Sequence, residues 1–234
     1  MDIVKGGGED MMDVIDKIGI DYLFGSGSAI LDNVALTLTD AWTWLPLYVA
    51  LLVLIIRNND SMRQIGICFC FAVLCVAMAS LMANAVVKPL VERPRPCNTP
   101  EVMYLAQIAG DMHSKDFSFF SSHAANTMAV AVYFSLLVRS CGLSVTLLLW
   151  SLINCWTRLY LGQHYLTDIL VGMMWGVTSG ALSYMLFLKV FRKISPSLNF
   201  VSSQYTRSGY SRPDIDTVLS VFILTVAYAL IPNL

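Results

Sequence analysis

Six stretches in which apolar residues run almost unbroken divide the chain: Ala41 to Ile56, Ile65 to Val87, Ala124 to Val138, Leu143 to Leu161, Ile169 to Leu188 and Thr217 to Ile231. A helix rises about 1.5 Å per residue, so roughly 20 residues cross ~30 Å of hydrocarbon. The runs reach or approach that length. The first, third and sixth are short and are expected to extend a turn into the interface or to meet a thinned bilayer. In lipid each backbone amide must bond within its own segment, which makes every run a helix. A different pattern precedes them. Between Met11 and Leu38, apolar residues at Met12, Ile15 and Ile18, then at Ile30, Leu31, Val34 and Leu38, recur every three or four positions between acids. That spacing predicts amphipathic helices on the membrane surface, divided at Gly25-Ser26-Gly27-Ser28; a loosely ordered tail is the alternative. Lys5 is followed by Gly6-Gly7-Gly8-Glu9-Asp10 and not by an apolar core, so no cleavable signal is expected. The predicted fold is all-α: a polytopic membrane bundle of six transmembrane helices over residues 41–234, with an interfacial helical segment over 1–40.

Composition agrees with the pattern. Hydrophobic residues make up 56% of the chain and charged residues 13%, against about 25% charged in ordinary soluble domains. A water-soluble globule is excluded. The net charge of −1 offers no general basic surface, and neither a nucleic-acid partner nor an obligatory protein partner is expected. Cys68, Cys70, Cys75 and Cys155 fall inside predicted spans, where cysteine acts as a small apolar residue. No cysteine has metal-ligand spacing.

The basic residues divide almost evenly between the two sides. One side holds Arg57, Arg63, Arg139, Lys189, Arg192, Lys193, Arg207 and Arg212; the other holds Lys5, Lys17, Lys88, Arg93, Arg95, Lys115 and Arg158. Location decides the orientation. Five of the first eight crowd the connection between the fifth and sixth spans, whereas thirteen of the sixteen acids lie on the other side. The first side is therefore expected in the cytoplasm, and both termini outside it.

Three polar islands lie on that outer side, and together they carry what phosphate transfer without a metal requires. In the first, Lys88, Arg93 and Arg95 alternate with Pro89, Pro94 and Pro96. Proline lacks an amide donor and disfavours helix at the residue before it, so the span is expected to break here into a fixed extended segment. Arg95 offers a planar fork to phosphate oxygens and Lys88 a compact charge; a basic cap snorkelling to lipid headgroups would use the same residues. In the second island, Ser121 or Ser122 suits a helix cap, with His123 in the first turn. Free amides there attract an anion, and His123 suits proton donation to a leaving oxygen. A capping pair beside an interfacial histidine is the plainer alternative.

The third island is the sharpest. Arg158 ends the fourth span, Gly162 marks a turn, and His164 lies four residues before Asp168. On a helix that spacing places both side chains on one face. A carboxylate bonded to one ring nitrogen leaves the other free to attack; the alternative is a polar pair tying two helix ends. Nearby, His113 and Lys115 are candidates for gating or headgroup binding. Tyr160, Gln163 and Tyr165 are candidates for lining the pocket, and Glu92 for pairing with Arg93.

Lys88, six intervening residues and Arg95-Pro96; Ser121-x-His123; and Arg158, five residues, His164, three residues and Asp168 resemble the three-part signature of the type 2 phosphatidic acid phosphatase family of membrane lipid phosphatases. Thr157 stands where that family often has serine, Phe120 where it has proline, and Ser122 where it has glycine. The resemblance implies a six-span phosphatase domain with its active site in the 88–122 and 157–168 regions. It implies that His164 attacks phosphorus to give a phosphohistidine, that Asp168 supports it, and that His123 protonates the leaving group and then activates water. It further implies that Lys88, Arg95, Ser121 and Arg158 hold the phosphoryl oxygens, with Ser122 a neighbouring phosphate-binding candidate. No metal or other cofactor is implied. The substrate it suggests is a membrane lipid phosphate: first a polyprenyl diphosphate such as undecaprenyl diphosphate, with phosphatidylglycerophosphate, phosphatidic acid and lipid A phosphates as alternatives. Two other classes share features of the pattern: a vanadate-dependent haloperoxidase, against which the spans argue, and a non-catalytic lipid-phosphate binding or transport protein.

Overall fold

The computed structural model describes residues 11–25, 28–100, 102, 116–193 and 204–230. Two N-terminal helices, α1 (Met11–Leu23) and α2 (Ala29–Thr39), precede α3 (Leu45–Arg57), α4 (Met62–Leu81), the short α5 (Lys88–Val91), α6 (Ser122–Val138), α7 (Cys141–Tyr160), α8 (Leu166–Phe191) and α9 (Arg212–Leu230). A helix thus stands at each of the six apolar runs among the described residues. By length and apolarity alone, three of the described helical stretches are long enough to cross a membrane: Met62–Asn98, Leu166–Phe191 and Arg212–Leu230. A fourth is obtained if Ala29–Thr39 and Ala41–Arg57, bent by 65° at their junction, count as one span.

The N-terminal pattern resolves into helices, but the face turned to the protein is not the apolar one. In α1 the buried residues are Asp16 and Gly19, while Met11, Met12, Val14, Ile18 and Tyr22 are exposed. Periodicity located the helix and left open which side docks. The Gly6–Asp10 segment, Ser26 and Gly27, and the loop holding His113 and Lys115 lie outside the described residues.

The predicted break at Lys88 is displaced. Helix α4 runs on through a π-helical turn at Met82–Val87 into α5. The wider turn takes the Lys88 N–H to the Ala83 carbonyl. Pro89, which has no amide to donate, follows that widened turn directly. The chain leaves the helix at Glu92, whose φ of 49° is left-handed, and turns extended at Arg95.

Helices α6 and α8 form the closest pair, for a reason visible in α8. Gly172, Gly176 and Gly180, four residues apart, face α6; a Cβ on them would lie 2.6, 2.5 and 2.6 Å from the carbonyl oxygens of Ser121, Ala125 and Ala129. Small residues at this spacing let two backbones approach where lipid supplies no hydrophobic drive. The contact sets the register of the start of α6 against the start of α8, and the Ser121 N–H donates to the Asp168 carbonyl at 3.1 Å. Around this pair, α4 packs on both partners: Tyr133 donates to the Cys68 carbonyl and Ser183 to the Phe71 carbonyl. At the end remote from the polar islands, Asn58 accepts from the Ser211 N–H and Ser208 donates to the Val138 carbonyl. The connections after α3, α6 and α8 therefore share one end of the bundle, as the loop grouping requires.

Gly176→Ala should lower the thermal midpoint of the detergent-purified protein, since overpacking of this kind costs roughly 1–3 kcal/mol. Gly66→Ala, with nothing within 4 Å of the added Cβ, should hold or raise it; equal effects at the two sites would refute the close-packing account.

Candidate active site

The three islands converge at one end of the bundle because backbone contacts tie their loops together. Gly162, at φ 62°, closes the turn after α7, with the Gly162 and Gln163 amides donating to the Leu159 and Arg158 carbonyls. The segment after α5 is pinned onto that turn. The Cys97 N–H donates to the Gly162 carbonyl at 3.1 Å, and Arg95 Nη1 donates to the Gln163 carbonyl and side-chain oxygen at 3.1 and 3.2 Å. Arg95 Nε donates to the Asp116 carbonyl at 2.9 Å, so the guanidinium is held between the loops that bracket the site.

The remaining cations face the same space. Lys88 is buried, donates to Asn84 Oδ1 at 2.8 Å, and lies within electrostatic reach of Arg95, Arg158 and Asp168. Arg158, also buried, donates through Nη1 to Thr39 Oγ1 at 3.0 Å. Its Nε has no hydrogen-bond partner among the described residues. Ser121 caps α6, its hydroxyl accepting from the Ala124 N–H; Ser122 is the first residue of that helix, and His123, next in its first turn, is exposed. Phe120, where the signature has proline, is buried in the main apolar core.

His164 lies in the bend ahead of α8 and not on the helix, so the one-face helical geometry expected from the spacing does not apply; the turn before Leu166 still brings its ring toward Asp168. His164 Nδ1 lies 3.6 Å from Asp168 Oδ2, beyond a hydrogen bond, and has no such partner among the described residues. His164 is 1% exposed. Burial lowers its pKa from 6.5 to about 4, with Asp168 opposing the shift and the charges of Arg158 and Arg95 adding to it. The ring is therefore neutral across the physiological range, with Nδ1 turned to the carboxylate and Nε2 left for another partner.

One residue at this site, Asp16, escaped the sequence reading, and another, Arg93, takes partners other than the expected one. Arg93 does not pair with Glu92, which is exposed; its Nη1 donates to Asp168 Oδ1 at 2.9 Å and its Nη2 to Asp16. The guanidinium carbon also stands 3.9 Å from the centre of the Tyr165 ring. Asp16 comes from α1, far away in sequence, and no local spacing marks it. Of the suggested lining residues, Gln163 bonds Arg95 and Tyr165 meets Thr99 Oγ1. Tyr160 donates to Asp32 on α2 at 2.7 Å. Thr157, where the signature often has serine, is turned to the Asn154 carbonyl of its own helix.

The chain has relatives among known proteins. The lipid A 4'-phosphatase of Bacteroides thetaiotaomicron is 32% identical over 183 residues, covering 77% of this chain and 80% of that protein. The lipid A 4'-phosphatase of Porphyromonas gingivalis is 25% identical over 169 residues, covering 71% and 70%. The crystal structure of a transmembrane PAP2-type phosphatidylglycerolphosphate phosphatase from Bacillus subtilis shares the fold, with a TM-score of 0.53 over 78% of this chain and 85% of that one at 22% identity. The PAP2 superfamily model matches residues 66–192, a stretch that holds all three islands and more than half of the chain. With the helical membrane fold in place beside that match, this integral membrane protein belongs to the PAP2 superfamily.

Proposed function

We propose that the protein is a metal-independent membrane lipid phosphatase that works through a phosphohistidine on His164 and takes a lipid A phosphate as substrate. The observation that carries the reading is the buried His164, its Nδ1 turned to Asp168 Oδ2 at 3.6 Å, with Arg95 and Arg158 close enough for their charges to act on the ring. In the proposed reaction His164 Nε2 attacks phosphorus and the bond to the lipid oxygen breaks. His123, whose pKa is lowered to about 3 in the free site by desolvation and by the charges of Arg158, Lys88 and Arg95, gains its proton with the incoming phosphate dianion and gives it to that oxygen. His123 then takes a proton from water as the water oxygen attacks the phosphohistidine, releasing inorganic phosphate and neutral His164. Lys88, Arg95 and Arg158, with the amides at the start of α6 beyond Ser121 and Ser122, would carry the charge that develops on the phosphoryl oxygens. Three cations there serve the part that a divalent ion plays elsewhere.

The substrate class is supported by two lipid A 4'-phosphatases among the relatives, which moves lipid A phosphate ahead of the polyprenyl diphosphate suggested by the sequence. The six-span reading is supported by a helix at every apolar run. The apolar residues exposed along α1 suit an interfacial position for that helix. The distribution of basic residues supports a site on the non-cytoplasmic side of the inner or plasma membrane.

Phosphate release in detergent with EDTA present, measured from lipid A, undecaprenyl diphosphate, phosphatidylglycerophosphate and phosphatidic acid, should be fastest from lipid A and fall to background in His164→Ala. Activity that needs added magnesium, or that survives in this variant, would overturn the proposal. Asp168→Asn should lower kcat by up to ~10⁴-fold, the scale of loss when an orienting carboxylate is neutralised, with KM little changed. A variant that loses only affinity would contradict that role.

Protonation of His164 removes the attacking electron pair, so its depressed pKa sets the acid limit. The histidine signal followed by NMR in the free protein should stay neutral through pH 5.5 and titrate near pH 4. Between those values and the ordinary 6.5 the unfolded chain binds the proton that the folded chain refuses, so stability should fall as pH drops through this window. Titration near 6.5 would show the ring to be solvated.

A further inference from the structure

Asp16 is the feature of the site that the proposed reaction leaves unused. It is 4% exposed, though it lies on an N-terminal helix whose apolar side chains face outward. Its Oδ1 accepts from the Thr167 N–H at 2.9 Å and from the Thr167 hydroxyl at 2.8 Å, and its Oδ2 accepts from Arg93 Nη2. Thr167 and Asp168 are consecutive at the start of α8. The helix carrying Asp16 is pressed close: a Cβ on Gly19 would lie 2.8 Å from Leu166 Cβ. A buried carboxylate is costly unless fully partnered, and this one has partners only because it meets Arg93 and Thr167.

The arrangement divides the donors of Arg93. One terminal nitrogen serves Asp16; the other serves Asp168 Oδ1 and the Thr167 hydroxyl oxygen, each at 2.9 Å. Guanidinium and carboxylate groups otherwise favour a bidentate fork that engages both oxygens. Asp168 Oδ2 is thereby kept for the Tyr165 N–H, at 2.9 Å, and for the His164 ring. We propose that Asp16 is a positioning residue for the catalytic pair: by holding Arg93 Nη2 and the Thr167 amide, it restricts Arg93 to one oxygen of Asp168 and reserves the other for His164. Without its charge, Arg93 closes onto both oxygens of Asp168 and draws the carboxylate away from the imidazole. The inference rests on the reading of His164 and Asp168 as nucleophile and support.

The test uses the full chain purified in detergent, with lipid A as substrate and ¹⁵N-histidine NMR as a readout independent of turnover. Asp16→Asn should lower kcat ~10–100-fold, the scale of loss when a group that orients a metal-ligating side chain is removed. KM should stay unchanged, and the His164 signal should shift away from the tautomer protonated at Nδ1. Lys17→Ala, an exposed neighbour on the same helix, should leave both as in the parent. The decisive variant is Asp16→Asn combined with Arg93→Gln, which cannot close a charged fork on Asp168: it should recover part of the lost kcat. A double variant slower than Asp16→Asn alone would show that Asp16 merely braces the fold and would overturn the inference. So would an Asp16→Asn protein with parental kcat and parental tautomer. A parent that releases no phosphate from lipid A would count against the proposed function instead; the tautomer comparison would still decide the role of Asp16.

Discussion

A carboxylate with no contact with solvent, at the head of a membrane helix, must find its hydrogen bonds in the protein, and Asp168 is such a group. The architecture around the site can be followed outward from that need. One oxygen takes Arg93, and the other takes the Tyr165 amide and stands against His164. Arg93 is thereby drawn in from the segment after α5, and Asp16 from α1. The carbonyl of the same residue receives the Ser121 amide at the start of α6. The segment after α5 and the start of α6 thus meet α8 at Asp168 itself, and α1 reaches it through Arg93 and the neighbouring Thr167.

What makes the meeting possible is how closely two backbones approach below it. Gly172, Gly176 and Gly180 remove the side chains that would hold α8 away from α6, and Ala124, Ala125 and Ala129 on the opposing helix are themselves small and buried. Tight contact over this length fixes the relative height of the two helix starts. His123 on one and Asp168 on the other are then set by rigid elements, with His164 just ahead of Leu166, where α8 begins. A site held by helices keeps its geometry better than one built on loops alone.

The bilayer explains how the rest is distributed. Large apolar side chains such as Leu81, Met174, Ile223 and Leu224 are exposed on α4, α8 and α9, as suits helices whose outer surface meets hydrocarbon. Polar pairing is concentrated at the two ends. At the end away from the site, Arg57 and Asn58 meet Asp214 at 3.1 Å each and close α3 onto α9. At the site end, the N-terminal helices lie across the loops, with Thr39 on Arg158 and Asp32 on Tyr160.

The sequence by itself marked the six apolar runs at which helices stand, because a backbone in lipid has to satisfy its amides within the segment. It also marked His164 and Asp168 as a candidate pair, although the helical turn assumed for them begins only at Leu166, and it marked the cations Lys88, Arg95 and Arg158 through the resemblance of their spacing to a family signature. Those are local facts, written in periodicity and spacing. The continuation of helix past Lys88 was not legible, since the π-helical turn that accommodates Pro89 leaves no mark in composition. Nor was the docking face of α1: apolar residues recurring every three or four positions suit a lipid interface and a protein core equally, and the structure put Asp16 and Gly19 inward. The bond from Arg93 to Asp16 spans 77 positions, too far for any helical spacing to encode. Only the tertiary structure decided it, because a buried charge takes the partner that folding brings to it, and Glu92, adjacent in sequence, was left at the surface.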